Sequence, residues 1–201
     1  MSPEGCGPID RPLAGLFEDL EQQAEALHLA ERDASVADLA LAEYGTVPLA
    51  GRLHASVGMT IRLGVVGVGF VHGRVRRVGS EWVGVVGGRA TAVEGAASDW
   101  IVRIAAIRSA RGLSDQAVSE AARPLVARLG IASVLRELCQ SRTPVVVHQI
   151  DASSTPGVVR RVGADFVELV RDASSGAGPG GTDLVSLRWA AAIRSEPQHR
   201  G

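Results

Sequence analysis

The chain has 201 residues, 46% hydrophobic and 21% charged, which is apolar enough for a packed core and too apolar for general disorder. Its longest uncharged apolar stretch, Leu63 to Val71, is interrupted by Gly64, Gly67 and Gly69 and falls far short of the roughly 20 residues of a membrane helix, so no spanning helix and no membrane partner are expected. A net charge of −1 conceals a division along the chain: residues 1–48 carry −8 and residues 49–201 carry +7, every cation of the body being Arg because the sequence has no Lys.

Residues 1–11, with Gly5, Gly7, Pro3 and Pro8, read as a frayed tail without the basic flank and apolar run of a secretory leader. From Pro12 the apolar positions follow a seven-residue grid, Leu13, Leu20, Leu27, Ala34 and Leu41, with Leu16, Gln23, Ala30, Ala37 and Tyr44 three places after each. The spacing predicts an acidic amphipathic helix over 12–47, or a helical hairpin broken near Asp33-Ala34-Ser35, closed by Gly45 and Pro48. Its seam requires a cover, either this protein's own body or a second copy.

The remainder repeats itself. Gly73-Arg-Val-Arg-Arg-Val-Gly-Ser-Glu-Trp-Val83 matches Gly157-Val-Val-Arg-Arg-Val-Gly-Ala-Asp-Phe-Val167 at seven of eleven positions, 84 residues apart. Ile61-Arg62-Leu63 meets Val145-Val146-Val147 at the same separation, and Ala105-Ala106-Ile107-Arg108-Ser109 returns as Ala191-Ala192-Ile193-Arg194-Ser195. A tandem duplication is expected, one unit at 48–113 and one at 134–198, joined by a helical linker at 114–133 with Ser114 as its N-cap.

Each unit opens with a short helix (Leu49 to Val57; Ile131 to Ser141) and an alternating strand (Thr60 to Val65; Pro144 to Ile150). A second strand runs through Val-Arg-Arg-Val-Gly, a third starts at Trp82 or Phe166, and two short strands end the unit. Val75 and Val78, like Val159 and Val162, are three apart, so each second strand must bulge at its paired arginines if all four valines are core. The expected class is α+β, mainly β: two five-stranded antiparallel barrels, preceded and linked by helices.

A short helix followed by five strands, with G-x-V-x-x-V-G-x-[DE]-[FW]-V on the bent second strand, resembles the Sm-like family of Sm and Lsm proteins and the bacterial Hfq RNA chaperone. The resemblance covers Pro48 to Arg111 and Val134 to Gln198. It implies small barrels that bind RNA and associate through strand edges. The base-reading Asn of Sm proteins is absent, since Gly79-Ser-Glu-Trp and Gly163-Ala-Asp-Phe stand in that region, and so is Hfq's Tyr-Lys-His rim.

Motifs for chemistry are sparse. Leu63 to Gly73 imitates a dinucleotide fingerprint with glycines at 67, 69 and 73, but strand rather than helix follows, so a hairpin is the expected reading. His28, His54, His72, His148 and His199 never reach metal-ligand spacing, no GxSxG elbow occurs, and Glu81 and Asp165 suit turn capping better than catalysis. Cys6 and Cys139 form no CxxC; a reducing cytoplasm suits them, although the two could pair. No cofactor, metal or enzymatic activity is expected.

What remains is arginine. Arg62, Arg74, Arg76, Arg77 and Arg108 in the first unit, and Arg160, Arg161 and Arg194 in the second, form a candidate surface for RNA or a ribonucleoprotein, because guanidinium groups bind phosphate bidentately. The acidic helix would modulate that surface by competing for it. The alternative is a protein-protein interaction or scaffold module in which these arginines pair with Glu81, Asp99, Asp165, Asp183 or the acidic helix. Self-association is expected through that helix or through strand edges.

Overall fold

The computed structural model describes residues 44–89, 98–171 and 181–195, together with Gln23, Glu25, Leu27, His28, Leu29, Glu31 and Arg32. The chain divides into two compact units, 1–47 and 48–201. In the first, the described positions from Gln23 to Arg32 are helical and exposed, and His28 Nδ1 lies 3.6 Å from Glu31 Oε2 one turn on. The tail, the hairpin break and most of the heptad grid lie outside the described residues.

Among the described residues, the second unit carries two α-helices, α1 (Leu49–Ala55) and α2 (Ile131–Ser141), and ten strands: β1 (Thr60–Val65), β2 (Gly69–Val78), β3 (Trp82–Arg89), β4 (Ser98–Arg103), β5 (Ile107–Arg111), β6 (Pro144–Gln149), β7 (Ser154–Val162), β8 (Phe166–Val170), β9 (Thr182–Ser186) and β10 (Ala190–Ser195). They form one sheet in the order β5-β1-β2-β3-β4-β10-β6-β7-β8-β9, each pair antiparallel. Two closed five-stranded barrels are therefore not what forms. Neither half closes on itself: β4 gives its second edge to β10, and ten strands continue as a single open sheet.

The apolar pattern of β4 and β10 explains this junction. Trp100 and Val102 of β4 join Leu53, Ile61, Leu63, Val71, Val75, Val83 and Val85 in one core, whereas Ile101 joins Leu135, Val145, Val147, Val159, Val167 and Leu169 in another. On β10, Ala191 and Ala192 belong to the first core and Ile193 to the second. Strands covered on both faces lose alternation and read as continuous apolar runs, here Trp-Ile-Val and Ala-Ala-Ala-Ile.

Both expected bulges are present, with register slips between Val75 and Arg77 and between Val159 and Arg161. Val75, Val78 and Val159 are buried, while Val162 is half-buried. The turns after β2 and β7 match as well: Gly79 N–H donates to Trp82 O at 2.8 Å and Gly163 N–H to Phe166 O at 2.9 Å. In each, the ring lies over the glycine, where a Cβ would come within 2.2 Å of Trp82 Nε1 or 2.4 Å of Phe166 Cε1.

The sequence-matched strands β5 and β10 are aligned differently in space than in sequence. Leu63 faces Ala110 across β1 and β5, and Val147 faces Ile193 across β6 and β10. Ala110 therefore corresponds to Ile193, and Arg111, not Arg108, to Arg194; the Ala-Ala-Ile-Arg-Ser identity is three residues out of structural register.

The segment expected as a helical linker has no α-helical turn before Ile131. Ser114 Oγ accepts the Gln116 N–H at 3.1 Å in a local turn, and short 3-10 turns follow at Glu120–Ala122 and Leu125–Arg128. Pro124, which lacks an N–H, separates them. The segment instead fastens α1: Arg52 Nε donates to Ser114 O at 2.8 Å and Val118 N–H to Gly51 O at 3.0 Å. Glu81 caps the start of α2, its Oε1 accepting the Ile131 N–H at 3.1 Å, and its Oε2 lies 3.7 Å from Arg103 Nη2.

Candidate nucleic-acid interface

Strand alternation builds one basic face. On β1, Ile61, Leu63 and Val65 point into the core and Thr60 and Arg62 outward; on β2, Val71 and Val75 are buried while Phe70, His72, Arg74 and Arg76 are exposed. Arg62 stands opposite His72 on one side and Arg111 of β5 on the other, and Thr60 stands opposite Arg74. The strands β5, β1 and β2 contain Arg62, Arg74, Arg76, Arg77, Arg108, Arg111 and His72, and no Asp or Glu.

An aromatic ring lies in the middle of this charge. The Arg62 guanidinium carbon sits 4.1 Å above the Phe70 ring centroid, and that of Arg108 lies 5.7 Å from it. Phe70 is 41% exposed, which leaves part of the ring for another planar group. Gly64, facing both Phe70 and Ser109, makes the room: a Cβ there would lie 2.3 Å from Ser109 Oγ and 3.4 Å from Arg108 Cγ and Nε. Beside the ring, Thr60, Ile61, Arg62, His72, Arg111 and Gly112 line a shallow depression.

Among the described residues, Arg62, Arg74, Arg76, Arg108 and Arg111 make no ion pair, and Arg77 reaches Glu137 of α2 at 3.8 Å. Two of the carboxylates offered as their counterions have other partners: Glu81 lies 3.7 Å from Arg103, and Asp183 accepts from Arg171 Nε at 2.5 Å and Nη2 at 3.0 Å, which pushes the Arg171 pKa further up.

The second half has no equivalent face. The registers place Val146, Pro156 and Val158 where the first half has Arg62, His72 and Arg74, and Ser154 where it has Phe70. Arg160 and Arg161 are exposed at their bulge without flanking cations on the strand, and Arg160 Nη1 lies 3.5 Å from Thr182 Oγ1. Arg194 is half-buried, opposite Trp100 on β4 and Val146 on β6. Of the eight arginines singled out in the sequence, Arg62, Arg74, Arg76 and Arg108 share the face, Arg77 borders it at the bulge, and Arg160, Arg161 and Arg194 lie apart.

Phe70, His72 and Gly64 join the site without having been singled out as part of it. Their signal was present in the period-two series Phe70, His72, Arg74, Arg76, but the surrounding glycines mark a turn as readily as a strand. The dinucleotide-like segment is a β-hairpin, Val65 facing Gly69, with Gly67 at φ 71° and Gly69 at φ 94° in the left-handed region.

No group of three His, Cys, Asp or Glu residues that could hold a metal occurs among the described residues. No helix among them is long and apolar enough to cross a membrane. No family model matches the chain, and no curated protein or solved structure matches it significantly.

Proposed function

We propose that the outer face of β5, β1 and β2 binds single-stranded nucleic acid, with RNA as the ligand that the sequence resemblance to Sm-like proteins favours. The observation that carries this reading is the Arg62–Phe70 stack at 4.1 Å within a face that has no carboxylate on its three strands. Phosphates would be held by Arg62, Arg74, Arg108 and Arg111, whose guanidinium groups offer paired donors. Bases would stack on the free part of Phe70 and on the guanidinium planes, a mode tolerant of sequence. Because Arg62 is already ordered by the ring, less side-chain freedom is lost on binding.

The test is fluorescence anisotropy of labelled oligo(U), oligo(dT) and a duplex against the full chain over a range of salt. Binding of the single strands that weakens linearly in log salt, and that is reduced by Arg62→Ala together with Arg108→Ala, supports the proposal. Absence of binding at low salt would favour the scaffold reading instead, with Phe70 and its arginines as a protein contact.

A further inference from the structure

We infer that the cleft between α2 and the outer face of β3 and β4 binds a small monocarboxylate with a compact apolar body. This goes beyond the nucleic-acid reading and does not depend on it. The bulge in β2 supplies the charge. Alternation would send consecutive side chains to opposite faces, but the slip between Val75 and Arg77 leaves Arg76 and Arg77 both exposed between buried Val75 and Val78. Both arginines line the cleft. Arg76 makes no ion pair among the described residues. Arg77 meets Glu137 of α2 only at 3.8 Å, well beyond the roughly 2.8 Å of a close charge-assisted hydrogen bond, so its donors are open to a nearer carboxylate.

A missing side chain supplies the space. Arg77 faces Gly84 on β3, and Gly84 faces Ile101 on β4, so no side chain rises between the arginine and the isoleucine. Gly84, Val86 and Ile101 form the floor and Val134 and Leu138 of α2 a wall of a cleft of about 350 Å³, a size that suits a small organic molecule. The sequence-matched strands of the second half show which chemistry suits the position. There Arg161 follows the same bulge and faces Glu168, which stands where β3 has Gly84. The chain thus sets a carboxylate opposite the bulge arginine in one half and an open cleft in the other. A ligand carboxylate held by Arg76 and Arg77 restores that pairing, with its apolar body over Gly84 against Ile101 and Leu138. The acids at the rim limit its charge: Glu137 and the exposed Asp99, which faces Val86, repel a second anionic group, so a dicarboxylate or polyphosphate is excluded.

The test is calorimetric titration of the full chain, without nucleic acid, with hydrocinnamate, its neutral amide and the dicarboxylate phenylsuccinate. Hydrocinnamate should bind, and the amide and the dicarboxylate should each bind more weakly, on the order of tenfold. Arg77→Gln should weaken hydrocinnamate by a similar factor. Gly84→Glu gives β3 the residue of the second half and should abolish hydrocinnamate binding by filling the cleft with a tethered carboxylate. The fold should tolerate it, since a Cβ at Gly84 meets nothing nearer than Trp82 Cζ3 at 3.4 Å; were that variant unfolded by circular dichroism, Arg77→Gln alone decides. Arg62→Ala should leave hydrocinnamate binding unchanged, so this site and the nucleic-acid face fail or succeed separately. Absence of binding at millimolar hydrocinnamate, equal binding of acid and amide, or binding indifferent to Arg77→Gln overturns the inference.

Discussion

The indole of Trp100 on β4 stacks on the imidazole of His148 on β6, ring centroids 5.4 Å apart and 22° from parallel, across the intervening strand β10. Ala192 of β10, registered with Val102 on one side and His148 on the other, is small enough to leave that span open. Trp100 is thus both a core residue of the first half and a clasp to the second.

Replacing it tests whether the sheet unfolds as one body. Trp100→Ala should cost about 3–5 kcal/mol and leave a single urea transition for both halves, since their cores share β4 and β10. Trp100→Phe should cost much less: the indole Nε1 is buried with no hydrogen-bond partner among the described residues, so no bond is lost. Two separate transitions in either variant would mean that the halves are energetically independent.

The two bulged strands give unequal responses to the same substitution. Val78 is 4% exposed whereas its counterpart Val162 is half-buried. Val78→Asp is expected to lose several kcal/mol through an unpaired buried charge, and Val162→Asp distinctly less, because its carboxylate can reach water. Thermal melts of the two variants side by side decide it; equal losses would contradict the difference in burial.

His54 supplies a pH dependence. Burial, and then the Arg123 guanidinium, hold its pKa below the ordinary 6.5. The unfolded chain therefore binds this proton more readily than the folded one, and stability fully present above about pH 6.5 is lost as pH falls through the lower folded value. Urea midpoints at about pH 8 and about pH 5 should show a smaller drop for His54→Met than for wild type. An identical drop in both would show that this imidazole does not contribute.

For the basic face, the salt dependence of oligo(U) binding separates charge from stacking. Arg62→Ala should lower the magnitude of the slope of log affinity against log salt by about 0.7, one phosphate contact on a single strand. Phe70→Ala should weaken binding by about 1 kcal/mol or more with little change of slope. Arg160→Ala with Arg161→Ala should alter neither, since the second half lacks the flanking cations. A loss on the Arg160 and Arg161 change equal to that of Arg62 would move the site to the bulges.

Local chemistry determined much of this architecture from sequence alone. Alternation placed β1 and β6, and two valines three apart announced each bulge, because each signal depends on neighbours a few residues away. The matched segments around Gly73 and Gly157 could not say whether each half would close. That depends on which edge satisfies β4, and β10, some ninety residues away, competes for it successfully because Ile193 and Ala192 fill both adjoining cores. The candidate site divides in the same way. Its arginines were visible as residues, whereas the choice among them was made by pairing across three strands, which sets Arg62 beside Phe70, His72 and Arg111 and leaves Arg160, Arg161 and Arg194 without such company.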